Sequence, residues 1–541
     1  MKGMVVAPHS IAVEEGVKVL RKGGNAVDAA VTAAFVQCVE GIGSCGIAGF
    51  GALNVYMSNS GENKVINFHG KAGSKVKPDM WEGLLIAEER SGYGYRLKGR
   101  VNDIGYQSIT TPSTLLGLYE ALTRYGTVSL KEALAPAIRY AEEGFPFPGE
   151  LSRSWGFRAS PDAPTFVNRL RVTKAAEEIF LKDGRPYSPG ESLVQRDLAE
   201  TLKRVAKEGV EDFYSGEICE KMIKDLEEHG SFLTQRDLES YRVKITEPLC
   251  TEYRDCRVST NPAPGGGITL IEMLNILEGY DLSQYDWRGL SRGTAEHMHL
   301  VASAFKAAQR DRAEFVGDPV FVDVPTERLT SKEHAAEWRE RIDRGEKITI
   351  PRWVPREESS TTHISVIDSR GNAVSLTHSL GNSSGVVTPR LGFLYNDCMN
   401  CFNPIPGHPN SIAPGKSRSS GISPTIVFKK EDPFLIIGAP GGNRIIGAVA
   451  QGILNVVDHG MTSVEAVYAP RIDCQWFDTV DISRRIPSYL CRVLEEKGHR
   501  VVKSSFDYEP FARVQAILVD REHGRVLGGS DPRGGGIALS E

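Results

Sequence analysis

The change of character at residue 361 limits the fold more than any other feature of the chain. From about Thr114 to Ile342 the pattern is mostly helical, with helix stops at Gly126, Gly144 and Gly209. From Thr361 to about Phe434 short alternating β segments dominate. The first of them is explicit. Thr361 to Asp368 is β-branched and apolar-rich, Ser369-Arg370-Gly371-Asn372 is a turn signal, and Ala373 to Leu380 is a second strand. In that second strand Val374 and Leu376 share one face, and Ser375, Thr377 and Ser379 the other. A hairpin with an odd loop centred on Arg370 puts Thr361 opposite Ser379, with Cβ atoms about 5 Å apart. A loop one residue longer or shorter would break that pairing.

The flanks complete an α+β reading. The region from Val5 to about Ser58 opens with helical periodicity, broken at Gly23-Gly24-Asn25, and a second, alanine-rich helix starts at Asn25. The glycines at 41, 43, 46, 49 and 51 then lead into a strand from Ala52 to Met57. Such glycine density suits either a loop over a substrate site or a tight packing turn. Pro262 to Gly267 forms a rigid-then-flexible turn before a helix from Ile268 to Leu277. Gly345 to Ser360 is polar, lacks periodicity and reads as a surface segment. Helices return at about Ile445 to Asp458, Ser463 to Tyr468 and Pro487 to Lys497, and two last β segments are Val514 to Val519 and Val526 to Gly528. Helices flanking two groups of antiparallel strands fit a layered αββα arrangement.

Bulk properties exclude several classes of function. With net charge -5 there is no basic footprint for nucleic acid or anionic membrane. No apolar run reaches the roughly 20 residues of a membrane-spanning helix. Glu14 and Glu15 interrupt the first segment, and no secretory h-region is visible, so cytoplasmic is the default. Nine cysteines, an odd number, argue against a disulfide framework. Only Cys398 and Cys401 have suggestive spacing. No second Cys-x-x-Cys supports zinc, so ordinary thiols are preferred to a redox pair there.

A threonine at a chain terminus carries nucleophile and base on one residue. Its free α-amine has an ordinary pKa of about 8, so a neutral fraction exists near pH 7. That amine can take the Oγ proton while Oγ attacks an amide carbonyl. Before any cut, the same Oγ can attack the carbonyl of Ser360. Thr-Thr at a strand start is common, however, and the pattern alone favours a structural threonine.

The wider motif set overturns that default. Thr361-Thr362-His363-x-Ser365-Val366-x-Asp368-x-x-Gly371-Asn372-Ala373-Val374 resembles the maturation site of gamma-glutamyltransferases. Gly23 to Ala30 resembles the family's N-terminal block, and Leu300 to Phe321, with Asp311-Arg312 and Gly317-Asp318-Pro319, its central helix. Ser419-Ser420-x-x-Ser423-Pro424-Thr425, Gly438-x-Pro440-Gly441-Gly442-x-Arg444 and Ser530-Asp531-Pro532-Arg533 follow in family order. The resemblance implies a four-layer αββα Ntn-hydrolase fold and self-cleavage between Ser360 and Thr361. It implies a large subunit 1–360 and a small subunit 361–541 that stay associated, and a homodimer of these is left open. Thr361 is expected as nucleophile and base, Ser379 as its hydrogen-bond partner, and the amides of Gly441 and Gly442 as the oxyanion hole. The expected partner is a small-molecule amide, with no cofactor and no metal.

The departures concern the substrate. Where the family has an arginine for the α-carboxylate of the gamma-glutamyl group, this chain has His69, which lacks the bidentate guanidinium fork. Where the family has an aspartate for the α-ammonium, it has Cys401. The family's asparagine after the hairpin is replaced by Gly381, with Asn382 adjacent, whereas Ser419 and Ser420 remain. Altered acyl specificity is the leading expectation. A true gamma-glutamyl enzyme with re-sited contacts and an uncut, non-catalytic relative are the alternatives.

Overall fold

The computed structural model describes residues 2–541 except 89–94, 157–162, 286–291, 351–360, 476 and 506–510. Two antiparallel sheets face each other. The strands of both are numbered here in chain order. They are β1 (Met4–Ala7), β2 (Phe50–Met57), β3 (Glu62–Phe68), β4 (Lys244–Thr246), β5 (Leu249–Tyr253), β6 (Cys256–Thr260), β7 (Thr361–Ile367), β8 (Ala373–Ser379), β9 (Thr425–Lys429), β10 (Asp432–Gly438), β11 (Gln515–Asp520), β12 (Arg525–Ser530) and β13 (Ile537–Ser540). The first sheet runs β13-β1-β7-β8-β2-β3-β4 and the second β12-β11-β10-β9-β6-β5.

Alternation decides which side of each strand meets which layer. Ile364, Val366, Val374 and Leu376 turn outward from the first sheet. There they pack with Val5, Leu53 and the helices α1 (Ser10–Arg21) and α2 (Ala26–Glu40). Every residue of α2 is buried, as expected of a helix that is apolar all round. A capping box of Asn25 and Asp28 starts it, and Asp28 also accepts the backbone N–H of Thr127, so one carboxylate ties a helix start to a distant loop. On the far side Val258, Val427, Leu435 and Ile437 of the second sheet pack with α3 (Gly267–Glu278), α4 (Arg292–Phe315) and α5 (Arg444–Val457). Between the sheets Met4, Val6, Ile367, Ile426, Phe428, Ile436 and Ile517 form a separate apolar cluster. The result is the expected αββα stack, with all nine cysteines as free thiols. No helix among the described residues is long and apolar enough to cross a membrane.

Several elements differ from the sequence reading. The stretch from Lys244 to Thr260 interrupts the helical region with three strands, two of which belong to the second sheet. Polar letters such as Thr251 and Glu252 on β5, an edge strand, and Arg257 on β6 hide them. The opening of the chain is a strand before it is a helix, and β13 adds a last strand beside it. Both have four residues, too few to display a period. Between Leu380 and Pro424, read as strand-rich, the chain has no strand and runs as turns and a 3-10 turn over Cys398–Cys401.

The glycine-dense stretch resolves as close packing. A Cβ on Gly49 would lie 2.2 Å from the Ser379 carbonyl oxygen, and one on Gly51 2.4 Å from that of Thr377. Only glycine lets β2 start this close to the strand that carries Ser379.

Candidate active site

The hairpin has the register expected from its turn. Thr361 pairs with Ser379, His363 with Thr377 and Ser365 with Ser375. The Oγ1 of Thr361 lies 3.1 Å from the Oγ of Ser379, and Ser379 Oγ also accepts the backbone N–H of Gly381 at 2.9 Å. Thr361 is 6% exposed and Ser379 fully buried.

The face turned toward the second sheet is polar along the hairpin, and each group on it is bonded. His363 uses Nδ1 toward Thr377 Oγ1 at 2.8 Å and Nε2 toward Ser365 Oγ at 3.1 Å. Ser365 donates to the Gln515 carbonyl and Ser375 to the Ile437 carbonyl, joining the two sheets. Burial lowers the pKa of His363 to about 3, so its ring is neutral and serves as a hydrogen-bonding spacer.

The same ring sets the approach of β10. A Cβ on Gly438 would lie 2.1 Å from His363 Cε1, so a glycine must end that strand. The chain then turns through Gly441, with φ +149°, and Gly442, with φ +61°, into the first turn of α5. The carbonyls of these two glycines accept the N–H groups of Arg444 and Ile445. At Gly441 a Cβ would meet the Ala512 Cβ at 2.4 Å.

A second set of predicted residues gathers around His69, which is 4% exposed. Its Nδ1 lies 2.7 Å from Asn67 Oδ1 and its Nε2 2.7 Å from Ser420 Oγ. Burial, then the charge of Arg418, lowers its pKa to about 3. A neutral ring beside an amide oxygen donates from Nδ1, so Nε2 accepts the Ser420 proton. Tyr241 donates its hydroxyl to the His69 carbonyl, and His69 lines a small recess with Asn67, Tyr241, Pro264 and Ser417.

Ser419 and Cys401 meet through Asn410, whose Oδ1 accepts the Ser419 N–H at 2.8 Å and whose Nδ2 donates to the Cys401 carbonyl at 2.7 Å. Arg312 reaches Ser419 Oγ at 3.3 Å and Asn443 Oδ1 at 3.2 Å, linking the serine pair to the turn after Gly442. Asn382 donates its backbone N–H to Asp397, and Arg169 approaches Asp397 at 3.5 Å. The tying roles of Asn410 and Arg169 have no signal in the sequence, and those of Arg312 and Asp397 lie inside blocks that carry only a family resemblance. Ser360 lies outside the described residues.

Cys398 and Cys401 are buried in a 3-10 turn. Among the described residues one His-and-carboxylate group has metal-like spacing, Glu272, Asp311 and His334, in the helix layer behind the second sheet. Asp311 Oδ2 there takes His334 Nε2 at 2.6 Å and Trp338 Nε1 at 2.8 Å. That carboxylate raises the His334 pKa to about 10, which makes the group an internal ion pair.

The chain resembles known proteins along nearly its whole length. A glutathione hydrolase proenzyme of Escherichia coli K12 is 33% identical over 557 residues, covering 98% of this chain and 90% of that protein. An acylase ACY 1 proenzyme from Pseudomonas sp. strain V22 is 35% identical over 509 residues, covering 93% and 88%. The crystal structure of a cephalosporin acylase from Bacillus halodurans superposes with a TM-score of 0.87 at 28% identity, covering 99% of this chain and 95% of that one. The gamma-glutamyltranspeptidase family profile matches residues 12–540. A match of that extent, on the αββα stack described above, means that the chain belongs to the gamma-glutamyltranspeptidase family.

Proposed function

We propose that the chain is the precursor of an amidohydrolase or acyltransferase that opens its own peptide bond ahead of Thr361. The products are a large subunit 1–360 and a small subunit 361–541. The observation that carries the reading is the in-register hairpin, which holds two hydroxyl oxygens 3.1 Å apart at the first residue of β7. The proenzyme names of the glutathione hydrolase and acylase relatives support it.

In the first reaction Thr361 Oγ attacks the Ser360 carbonyl carbon. The peptide C–N bond breaks, the nitrogen takes a proton to become the α-amine, and water hydrolyses the resulting ester. In the second, that amine accepts the Oγ proton as Oγ attacks a substrate amide. The amides of Gly441 and Gly442 receive the oxyanion, a contribution of about 3–4 kcal/mol for each donor. The protonated amine returns its proton to the departing amine, and an acyl group remains on Thr361. Water or a second amine then takes that acyl group. Ser379 orients the Thr361 hydroxyl throughout.

The test is a denaturing gel with N-terminal sequencing of the smaller band. Purified protein gives bands of about 39 and 20 kDa, scaled by length from 59.2 kDa, and the smaller begins Thr-Thr-His-Ile. Thr361→Ala gives one full-length band and no turnover. Active wild-type protein that remains a single chain would end this reading.

A further inference from the structure

Three helices outside the second sheet bring one imidazole and two carboxyl groups together. Glu272 comes from α3, Asp311 from α4, and His334 from the helix Lys332–Asp343. One ligand atom from each lies within 4.8 Å of the other two. Their exposures are 1%, 4% and 5% respectively. Local structure fixes the positions. Ser331 caps its helix by accepting the His334 N–H at 3.1 Å, which holds the imidazole in the first turn. One turn on, Trp338 donates its Nε1–H to Asp311 Oδ2 at 2.8 Å, and the Arg341 guanidinium covers the Trp338 ring at 4.0 Å.

An ion pair accounts for two of these groups and leaves the third over. His334 Nε2 meets Asp311 Oδ2 at 2.6 Å. Glu272 Oε1 stands 3.5 Å from the same nitrogen, and neither oxygen of Glu272 has a hydrogen-bond partner. A buried carboxyl with both oxygens unused is costly, and a simple ion pair does not need it. The other nitrogen of the ring, Nδ1, lies 3.2 Å from Oε2 of Glu337, an exposed residue at the rim. A carboxylate at Nδ1 keeps a proton there and frees Nε2 to act as a ligand. Trp338 orients the Asp311 carboxylate in the same supporting manner.

We propose that Glu272, Asp311 and His334 form a structural zinc site that clamps these three helices together. One imidazole nitrogen and two carboxylate oxygens are ordinary zinc ligands, each at about 2.0–2.2 Å. Around a tetrahedral ion at that distance, ligand atoms stand about 3.4 Å apart. His334 Nε2 is already 3.5 Å from Glu272 and 2.6 Å from Asp311, so Asp311 draws back by only about 1 Å to admit the ion. The fourth position is left to water or to the second oxygen of Glu272. Magnesium and calcium take more oxygen ligands than this set offers. Binding is an exchange: zinc takes the place of the Nε2 proton of His334 and of the proton that burial keeps on Glu272. Two protons leave as two positive charges enter, so the buried group keeps its net charge. The site lies wholly before residue 361 and does not depend on a cut there. It holds the last described helix ahead of that residue, the one whose covalent continuation a cut would remove.

The test uses the untagged full chain, stripped with a chelator and then dialysed with zinc or cobalt chloride. Elemental mass spectrometry counts the metal, competition with a coloured chelator gives the affinity, and visible absorption reports the cobalt geometry. Wild type is expected to retain one zinc per chain and to give the intense cobalt bands of a four-coordinate ion. Glu272→Gln, which keeps the shape of the side chain, and His334→Phe are expected to lose the metal. Glu337→Gln is expected to bind about 10-fold more weakly, as for a group that supports a ligand without being one. His523→Asn, at an exposed His–Asp pair, is expected to keep the wild-type metal content. A wild type that retains no zinc overturns the assignment. So does zinc kept in full by Glu272→Gln, or a cobalt spectrum as weak as that of the hydrated ion. If His334→Phe does not fold, Glu272→Gln and the cobalt spectrum decide by the same criteria.

Discussion

Replacing Ser379 by alanine tests whether its contact with Thr361 serves chemistry or packing. A serine hydroxyl offers one proton and two lone pairs. Ser379 accepts the Gly381 N–H at 2.9 Å, and its proton can point at Thr361 Oγ1, 3.1 Å away, as that oxygen becomes negative. A bond to a charged oxygen is worth about 1.5–3 kcal/mol, so its loss slows attack about 10- to 150-fold. Alanine also leaves the buried Gly381 N–H without this acceptor, a stability cost of about 1–3 kcal/mol. Three measurements separate these effects: a time-course gel for maturation, anilide release by the matured protein, and urea unfolding. Ser379→Ala is expected to slow both maturation and turnover and to lower the unfolding midpoint. Ser379→Thr keeps the hydroxyl on a β-branched residue suited to a strand, and is expected to restore both rates. If Ser379→Ala matures and turns over within about 3-fold of wild type while its midpoint drops, the contact is structural only.

Two further outcomes follow from the site. His69→Arg combined with Cys401→Asp supplies both charges that an α-amino acid needs, and is expected to raise gamma-glutamyl anilide turnover at least 10-fold, about one charged bond's worth. An unchanged rate, measured on matured protein, would remove these two positions from the acyl pocket. Stability is expected to fall with acid, because burial lowers the pKa of His69 and His363 to about 3 each. The folded values lie below the ordinary 6.5, so the unfolded chain binds protons first; stability is full above pH 6.5 and drains as pH falls toward 3, by about 2 kcal/mol per histidine at pH 5. Urea midpoints at pH 7.5 and 5.0 measure it, and equal midpoints would show that these rings are not held neutral.

What the sequence made legible was local. The Thr361–Ser379 pairing follows from a turn at Ser369 to Asn372 flanked by alternating residues, and it holds in the structure. Helix α1 was readable because Val13, Val17 and Leu20 share one face and Gly23 ends the run. What stayed hidden was nonlocal. Nothing near Val5 announces that it pairs with Val366 and Leu539, since a four-residue strand shows no period and its partners lie hundreds of residues away. The placement of Arg418 is hidden for a related reason. Its guanidinium lies over the ring of Phe50, on a strand far away in the sequence, and its charge is felt by His69 beyond it. The serines beside it, by contrast, stood in a familiar motif.

The order of strands decides what a cut at residue 361 can do to the molecule. In the first sheet, strands from before and after that residue are interleaved: β1 is clasped between β13 and β7, while β8 runs along β2. The second sheet joins β9 to β6 in the same manner. Severing one peptide bond therefore frees an end without freeing a piece. Neither fragment could leave without unzipping ladders in both sheets, and neither carries a complete sheet with which to fold alone. Synthesis as one chain gives the strands on either side of residue 361 a direct way to become interwoven.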